Sequence, residues 1–120
     1  MEEPLVREVL IIEDDPDIQA LLQHFLTQLR CDVSVAGTGH EGLDLARALV
    51  PEIVFVDVML PDMLGNDVID HLRADIRSAG CQIVVVSALD RELHGAYCDA
   101  AIGKPFTRED VAAVLLKLSV

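Results

Sequence analysis

Five short runs of β-branched and small apolar residues, separated by stretches of helical period, constrain the fold of this chain more than any other feature. Residues 9–13, VLIIE, read as a strand. DPDIQALLQHFLTQL (15–29) follows, and its Ile18, Leu21, Leu22, Phe25, Leu26 and Leu29 recur at the spacing of one helix face. Asp15 is placed to cap that helix, with Pro16 in its first turn. DVSVA (32–36) is a second strand, and GHEGLDLARAL (39–49) a second helix stopped by Pro51. IVFVD (53–57) is the third strand. Val68, Ile69, Leu72 and Ile76 mark a third helix closed by Gly80. QIVVVS (82–87) is a fourth strand and CDAAI (98–102) a weaker fifth. Val111, Val114, Leu115 and Leu118 give a last helix after Thr107, a good N-cap. Strict strand–helix alternation with continuously apolar strands predicts an α/β fold, a parallel sheet covered on both faces by right-handed crossovers.

In such sheets a ligand sits beyond the carboxyl ends of the strands, at the switch in strand order. The residues at those ends carry the chemistry. The first strand ends in Glu13-Asp14-Asp15, the third in Asp57, the fourth in Ser87, and the fifth just before Lys104-Pro105. Each has a plain reading alone. Acids before a helix are favoured by its dipole, a Ser after a strand starts a turn, and Lys-Pro makes a loop. Together they place carboxylates, a hydroxyl and an ammonium at one edge. Glu13, Asp14 and Asp57 offer the oxygen ligands that Mg²⁺ prefers. Crowded carboxylates raise one another's pKa unless a cation or Lys104 compensates. A carboxylate can attack phosphorus and form an acyl phosphate, a reaction that asks mainly for positioning and charge neutralisation.

Composition narrows the classes. The 120 residues fit one domain, residues 1–120, and the 52% hydrophobic content excludes a disordered chain. A net charge of −12 repels phosphate backbones and anionic lipid, so neither nucleic-acid nor membrane contact is expected of this domain. Cys31, Cys81 and Cys98 form no CxxC, which argues for a reducing compartment and against a zinc site. The acidic start MEEPLVREV has no signal core, and no apolar run approaches about 18 residues. A cytoplasmic, soluble protein is expected.

The segments LIIEDDP, VDVMLPDMLG, VVVSA and KPF resemble the receiver domain of two-component response regulators, over essentially the whole chain. The resemblance implies a flavodoxin-like, doubly wound five-stranded parallel sheet of order 2-1-3-4-5. It implies that Asp57 accepts a phosphoryl group from a sensor histidine kinase or a histidine phosphotransfer protein, and that Glu13, Asp14, Asp57 and the Met59 main-chain carbonyl hold Mg²⁺ or Mn²⁺. Ser87 takes the Ser/Thr switch position. Lys104 pairs with the acceptor and then with the phosphate, and Lys104-Pro105 is a cis peptide. Pro61 and Gly65 shape the loop beside Asp57, and Ala88 is the small residue that admits phosphate. On this reading the chain catalyses only its own phosphorylation and dephosphorylation. The chain departs from the family in two places. Ala101 stands where an aromatic residue is usual, three positions before Lys104. The segment from Ser87 to Lys104 is short, so the helix expected near 90–97, with Leu89, Leu93, Ala96 and Tyr97, is predicted to be short or degenerate. Apolar Met59 and Leu89, two residues beyond Asp57 and Ser87, can neither orient nor activate water, which predicts a long-lived phosphorylated form.

Four other readings compete. A degenerate receiver would be a phosphorylation-independent interaction module. Gly37, Gly39 and Gly42 match GxGxxG after a strand, with Asp57 twenty residues past the first glycine, which is the layout of a dinucleotide-binding domain; this leaves Glu13, Asp14, Ser87 and Lys104 unexplained. A dehalogenase-type phosphatase wants an acid at position 59, where Met59 stands, and a flavodoxin wants a phosphate loop where Glu13-Asp14-Asp15 would repel phosphate. His24, His40, His71 and His94 show no ligand spacing and read as surface residues.

Overall fold

The computed structural model describes residues 7–88 and 98–118. The elements run β1 (Arg7–Ile12), α1 (Pro16–Gln28), β2 (Cys31–Ala36), α2 (Gly39–Leu49), β3 (Ile53–Asp57), α3 (Gly65–Ala74), β4 (Gln82–Ser87), β5 (Ala100–Gly103) and α4 (Arg108–Leu118). All strands are parallel in one sheet of order β2-β1-β3-β4-β5, as the resemblance implied. The helix expected near 90–97 lies outside the described residues.

The two-residue period of the strands divides the core. Val9, Ile11, Phe55, Val84, Val86 and Ile102 point to the face covered by α1 and α4. Leu10, Ile12, Val54, Val56, Ile83 and Val85 point to the face covered by α2 and α3. The central strands β1, β3 and β4 are buried and apolar on both sides over most of their length because each face meets a helix. Cys31 belongs to the first face and Cys81 to the second, as small packing residues. The strand order reverses between β1 and β3, so the crevice predicted by topology opens beyond Ile12 and Asp57.

Caps set the helix starts. Asp15 accepts from Asp17 N at 2.9 Å, and Thr107 Oγ1 accepts from Asp110 N at 3.1 Å while Asp110 Oδ2 accepts from Thr107 N at 2.9 Å. One end differs from the sequence expectation. Ile76 continues the apolar face of the third helix on paper, yet α3 stops at Ala74 and Ile76 is 93% exposed. Local hydrogen bonds win over periodicity here. Asp75 Oδ1 accepts from Arg77 N at 2.9 Å, and the buried Ser78 hydroxyl donates to Leu72 O at 2.7 Å, closing the helix before another turn forms.

Val50 ends α2 in the left-handed region, at φ 48° and ψ 62°, with its N–H donated to Ala46 O at 2.9 Å. A β-branched residue is strained there, whereas glycine is not. The side chain is exposed and contributes little packing. Val50→Gly is expected to stabilise the domain by about 1 kcal/mol, read as a higher urea midpoint at unchanged slope.

Candidate functional site

The carboxyl edge of the sheet gathers residues far apart in sequence. Asp57 closes β3 opposite Val86, and Ser87 closes β4 opposite Gly103, one residue before Lys104. Lys104 N donates to Ser87 O at 2.9 Å, which ties the lysine to the end of β4. Glu13 follows β1, with its N–H donated to Ala36 O at 3.0 Å and its carbonyl taken by Gln19 Nε2. Sheet register thus carries four strand ends to one edge.

The side chains meet there. Lys104 Nζ lies 3.2 Å from Asp57 Oδ2 and 2.9 Å from Glu13 Oε1. Carboxylate oxygens of Glu13, Asp14 and Asp57 lie within 4.8 Å of one another. Glu13, Asp57 and Ser87 are buried, while Asp14 is exposed. Asp57 Oδ1 accepts from Met59 N at 3.1 Å, and Glu13 Oε2 from Asp15 N at 3.1 Å. Glu13 Oε1 has no aligned hydrogen-bond donor despite its closeness to the ammonium.

The electrostatics are those of an incompletely neutralised anion cluster. Burial pushes the Glu13 carboxyl up to about 7; Lys104 opposes this and neighbouring Asp57 adds to it. Burial alone would lower the Lys104 ammonium, but Glu13 and Asp57 outweigh it and hold the lysine above its ordinary value. One ammonium faces three carboxylates, which in ionised form leave about two negative charges unmatched. A hard divalent cation fits this donor set, since all the clustered ligands are oxygens and a single ammonium cannot neutralise three carboxylates.

The other singled-out residues fall around this cluster. The Lys104–Pro105 peptide is cis. Met59 and Leu64 pair across the loop after β3, and Gly65 N donates to Val58 O at 2.7 Å. A Cβ on Gly65 would lie 2.5 Å from Asp57 O, so only glycine lets the loop turn this close to the end of β3. Pro61 and Ala88 are exposed near the edge. Ala101 lies in β5, half-buried against the α2–α3 face. Leu89 and His94 lie outside the described residues.

The glycine fingerprint has a packing explanation. A Cβ on Gly42 would lie 2.4 Å from Ile12 Cδ1, and one on Gly39 2.3 Å from Met63 Cγ, so these glycines let α2 lie close against β1 and the loop after β3. The N–H groups of Gly39 and His40, where a pyrophosphate would bind in a dinucleotide site, are donated to Asp62 Oδ1 at 2.8 Å and Oδ2 at 2.9 Å. A carboxylate already fills that place. His24 is exposed beside Phe25, His71 Nδ1 sits 2.8 Å from Asp67 O, and His40 Nδ1 sits 2.5 Å from Asp62 Oδ2. The sequence marks Asp62 only by its place after Pro61.

Comparison with known proteins agrees with this geometry. The family model described as "Response regulator receiver domain" matches residues 9–116. The probable transcriptional regulatory protein TcrX of Mycobacterium tuberculosis is 32% identical over 115 residues, covering 92% of this chain but 48% of that protein. The chain thus spans about half the length of this relative. The chemotaxis response regulator CheY4 of Vibrio cholerae superposes with a TM-score of 0.89 at 21% identity, covering 95% of this chain and 99% of that one. The receiver domain of sensor histidine kinase PA1611 from Pseudomonas aeruginosa, a structure with a magnesium ion coordinated in its active-site cleft, superposes with a TM-score of 0.84 at 22% identity, covering 94% and 97%. Sheet order, the acid–lysine cluster at its carboxyl edge and a family match spanning both lead to one assignment: the chain belongs to the response regulator receiver domain family.

Proposed function

We propose that the chain is the phosphoacceptor of a two-component or phosphorelay system, taking a phosphoryl group on Asp57 and switching partner binding in response. The observation that carries this reading is the pairing of a buried acceptor carboxylate with Lys104, 3.2 Å away, inside an acidic cluster at the strand-order switch. An Asp57 oxygen attacks the phosphorus of a phosphohistidine on a histidine kinase or phosphotransfer protein. The O–P bond forms as the P–N bond breaks, and the leaving imidazole takes up a proton. Lys104, already on Asp57, follows the negative charge onto a phosphoryl oxygen, and the Ser87 hydroxyl donates to another. Glu13, Asp14, Asp57 and the Met59 carbonyl would hold Mg²⁺ or Mn²⁺, which when bound neutralises phosphoryl charge. Pro61 and Gly65 shape the loop, Ala88 leaves room for phosphate, and Pro105 sets the chain after the lysine.

The acidic surface disfavours nucleic acid and anionic membranes as partners of this domain. Among the described residues no helix is long and apolar enough to cross a membrane. A cytoplasmic site of action and a purely self-modifying chemistry complete the reading.

Incubation with acetyl phosphate, followed by intact-mass measurement, tests it. One phosphate is expected with Mg²⁺ and none with EDTA. No uptake under either condition would instead favour a degenerate receiver working as an interaction module. The phosphorylated form is expected to be long-lived, because the exposed Met59 side chain beside Asp57 offers no group to orient water. Met59→Asn should speed its decay several-fold, and a decay rate equal to wild type would refute that role.

A further inference from the structure

The loop after β3, residues 58–64, begins next to Asp57 and contains Met59, and its base is closed by the Met59–Leu64 pairing and the Gly65 N to Val58 O bond. Leu64 occupies the N-cap of α3 and makes no side-chain capping bond. The outer part of the loop is held from another element. Asp62 Oδ1 accepts from Gly39 N at 2.8 Å, Oδ2 accepts from His40 N at 2.9 Å, and His40 Nδ1 lies 2.5 Å from the same oxygen. Gly39 and His40 open α2, so the carboxylate sits on otherwise unpaired N–H groups at the positive end of that helix. The His40 and Gly39 amides hold the Asp62 carboxyl well below the usual range. Packing acts in the same direction, since Met63 lies against Gly39 too closely to admit a Cβ. Helix α2 is in turn seated on β1 through Gly42 and Ile12, the residue before Glu13. A continuous path therefore runs from the Glu13 end of β1, through α2 and Asp62, to the loop that carries Met59.

The start of the helix also has a side-chain cap of its own. Thr38 Oγ1 accepts from Glu41 N at 3.0 Å, and Glu41 Oε1 accepts from Gly37 N at 2.8 Å. Asp62 adds a cap on two further N–H groups, and those same bonds tie the outer loop to the helix.

We propose that Asp62 is a positioning residue for the acceptor site: by capping α2 from the β3–α3 loop it fixes the backbone around Met59, so that this backbone and Asp57 meet a divalent cation and a phosphodonor in register. The inference rests on the phosphoacceptor reading.

Four proteins test it: wild type, Asp62→Ala, Asp62→Asn and Thr38→Ala. The last weakens the same helix start without touching the loop. Four measurements are made: the Mn²⁺ dissociation constant by electron paramagnetic resonance, phosphate uptake from acetyl phosphate, amide hydrogen exchange of residues 58–65 in the metal-free protein, and the urea midpoint. Asp62→Ala is expected to weaken Mn²⁺ binding by about tenfold, to slow phosphate uptake and to speed exchange across the loop. Asp62→Asn, which keeps an acceptor oxygen, should recover part of each. Thr38→Ala should lower the urea midpoint while leaving Mn²⁺ affinity and loop exchange at wild-type values. Unchanged Mn²⁺ affinity and exchange in Asp62→Ala would overturn the proposal, and so would equal losses in Thr38→Ala. A wild-type protein that takes neither Mn²⁺ nor phosphate brings down the phosphoacceptor reading and this inference with it. Failure of the inference alone shows only in the variants.

Discussion

Asp57→Asn takes up no phosphate from acetyl phosphate in the presence of Mg²⁺. The substitution keeps size and an acceptor oxygen for Met59 N, which now lies 3.1 Å from Asp57 Oδ1, so the loop has no reason to rearrange. What disappears is the nucleophile, because an amide oxygen or nitrogen does not attack phosphorus as a carboxylate does. The ammonium of Lys104 would keep Glu13 at 2.9 Å. Removing one of two buried acids that repel each other also lessens the burden on Glu13, whose carboxyl Asp57 helps to raise. Stability is therefore expected to stay within about 1 kcal/mol of wild type while uptake falls to nothing. A variant that still gains a full stoichiometric phosphate would show that another side chain is the acceptor.

Gly65→Ala should produce the largest loss of stability among single-methyl additions at the described glycines. Its new Cβ would lie 2.5 Å from Asp57 O and 2.9 Å from Val58 Cα. Both are backbone atoms and cannot rotate aside. At Gly39 and Gly42, by contrast, the crowding atoms belong to the Met63 and Ile12 side chains, which have rotamers to use. Relief at Gly65 requires α3 to move away from β3 and strains the 2.7 Å bond from Gly65 N to Val58 O. A cost of about 3 kcal/mol follows from overpacking against an unyielding wall, with a fall in Tm on the order of 10 °C. Because the clash falls on the carbonyl of Asp57 itself, phosphate uptake should drop as well. Gly80→Ala is the control, since nothing lies within 4 Å of a Cβ there. Equal urea midpoints for the two variants would refute the steric argument.

The layered fold was legible because it rests on near-neighbour properties. Strand runs such as 53–57 and the Asp15 and Thr107 caps are set by periodicity and by bonds that span two or three residues. Where a local bond opposed periodicity, as Asp75 and Ser78 do at the end of α3, periodicity misled and Ile76 was placed on the wrong side of the helix end. The acid–lysine site was legible only through topology. Nothing near Lys104 in sequence says that it will sit 3.2 Å from Asp57, forty-seven positions earlier; the parallel register of β3, β4 and β5 brings them together. The glycine trio and Asp62 show the reverse case. Their spacing suggests a phosphate loop, and only the packed structure reveals a carboxylate from the next crossover on the amides of α2 and side chains where a ligand would lie. The sequence by itself determined the order and faces of the elements, because a side chain's direction along a strand or helix depends on its own position alone. Tertiary structure decided which charges face one another and which helix end is already capped, because those pairings depend on strand order and loop approach, and electrostatic energy depends on distance in space rather than along the chain.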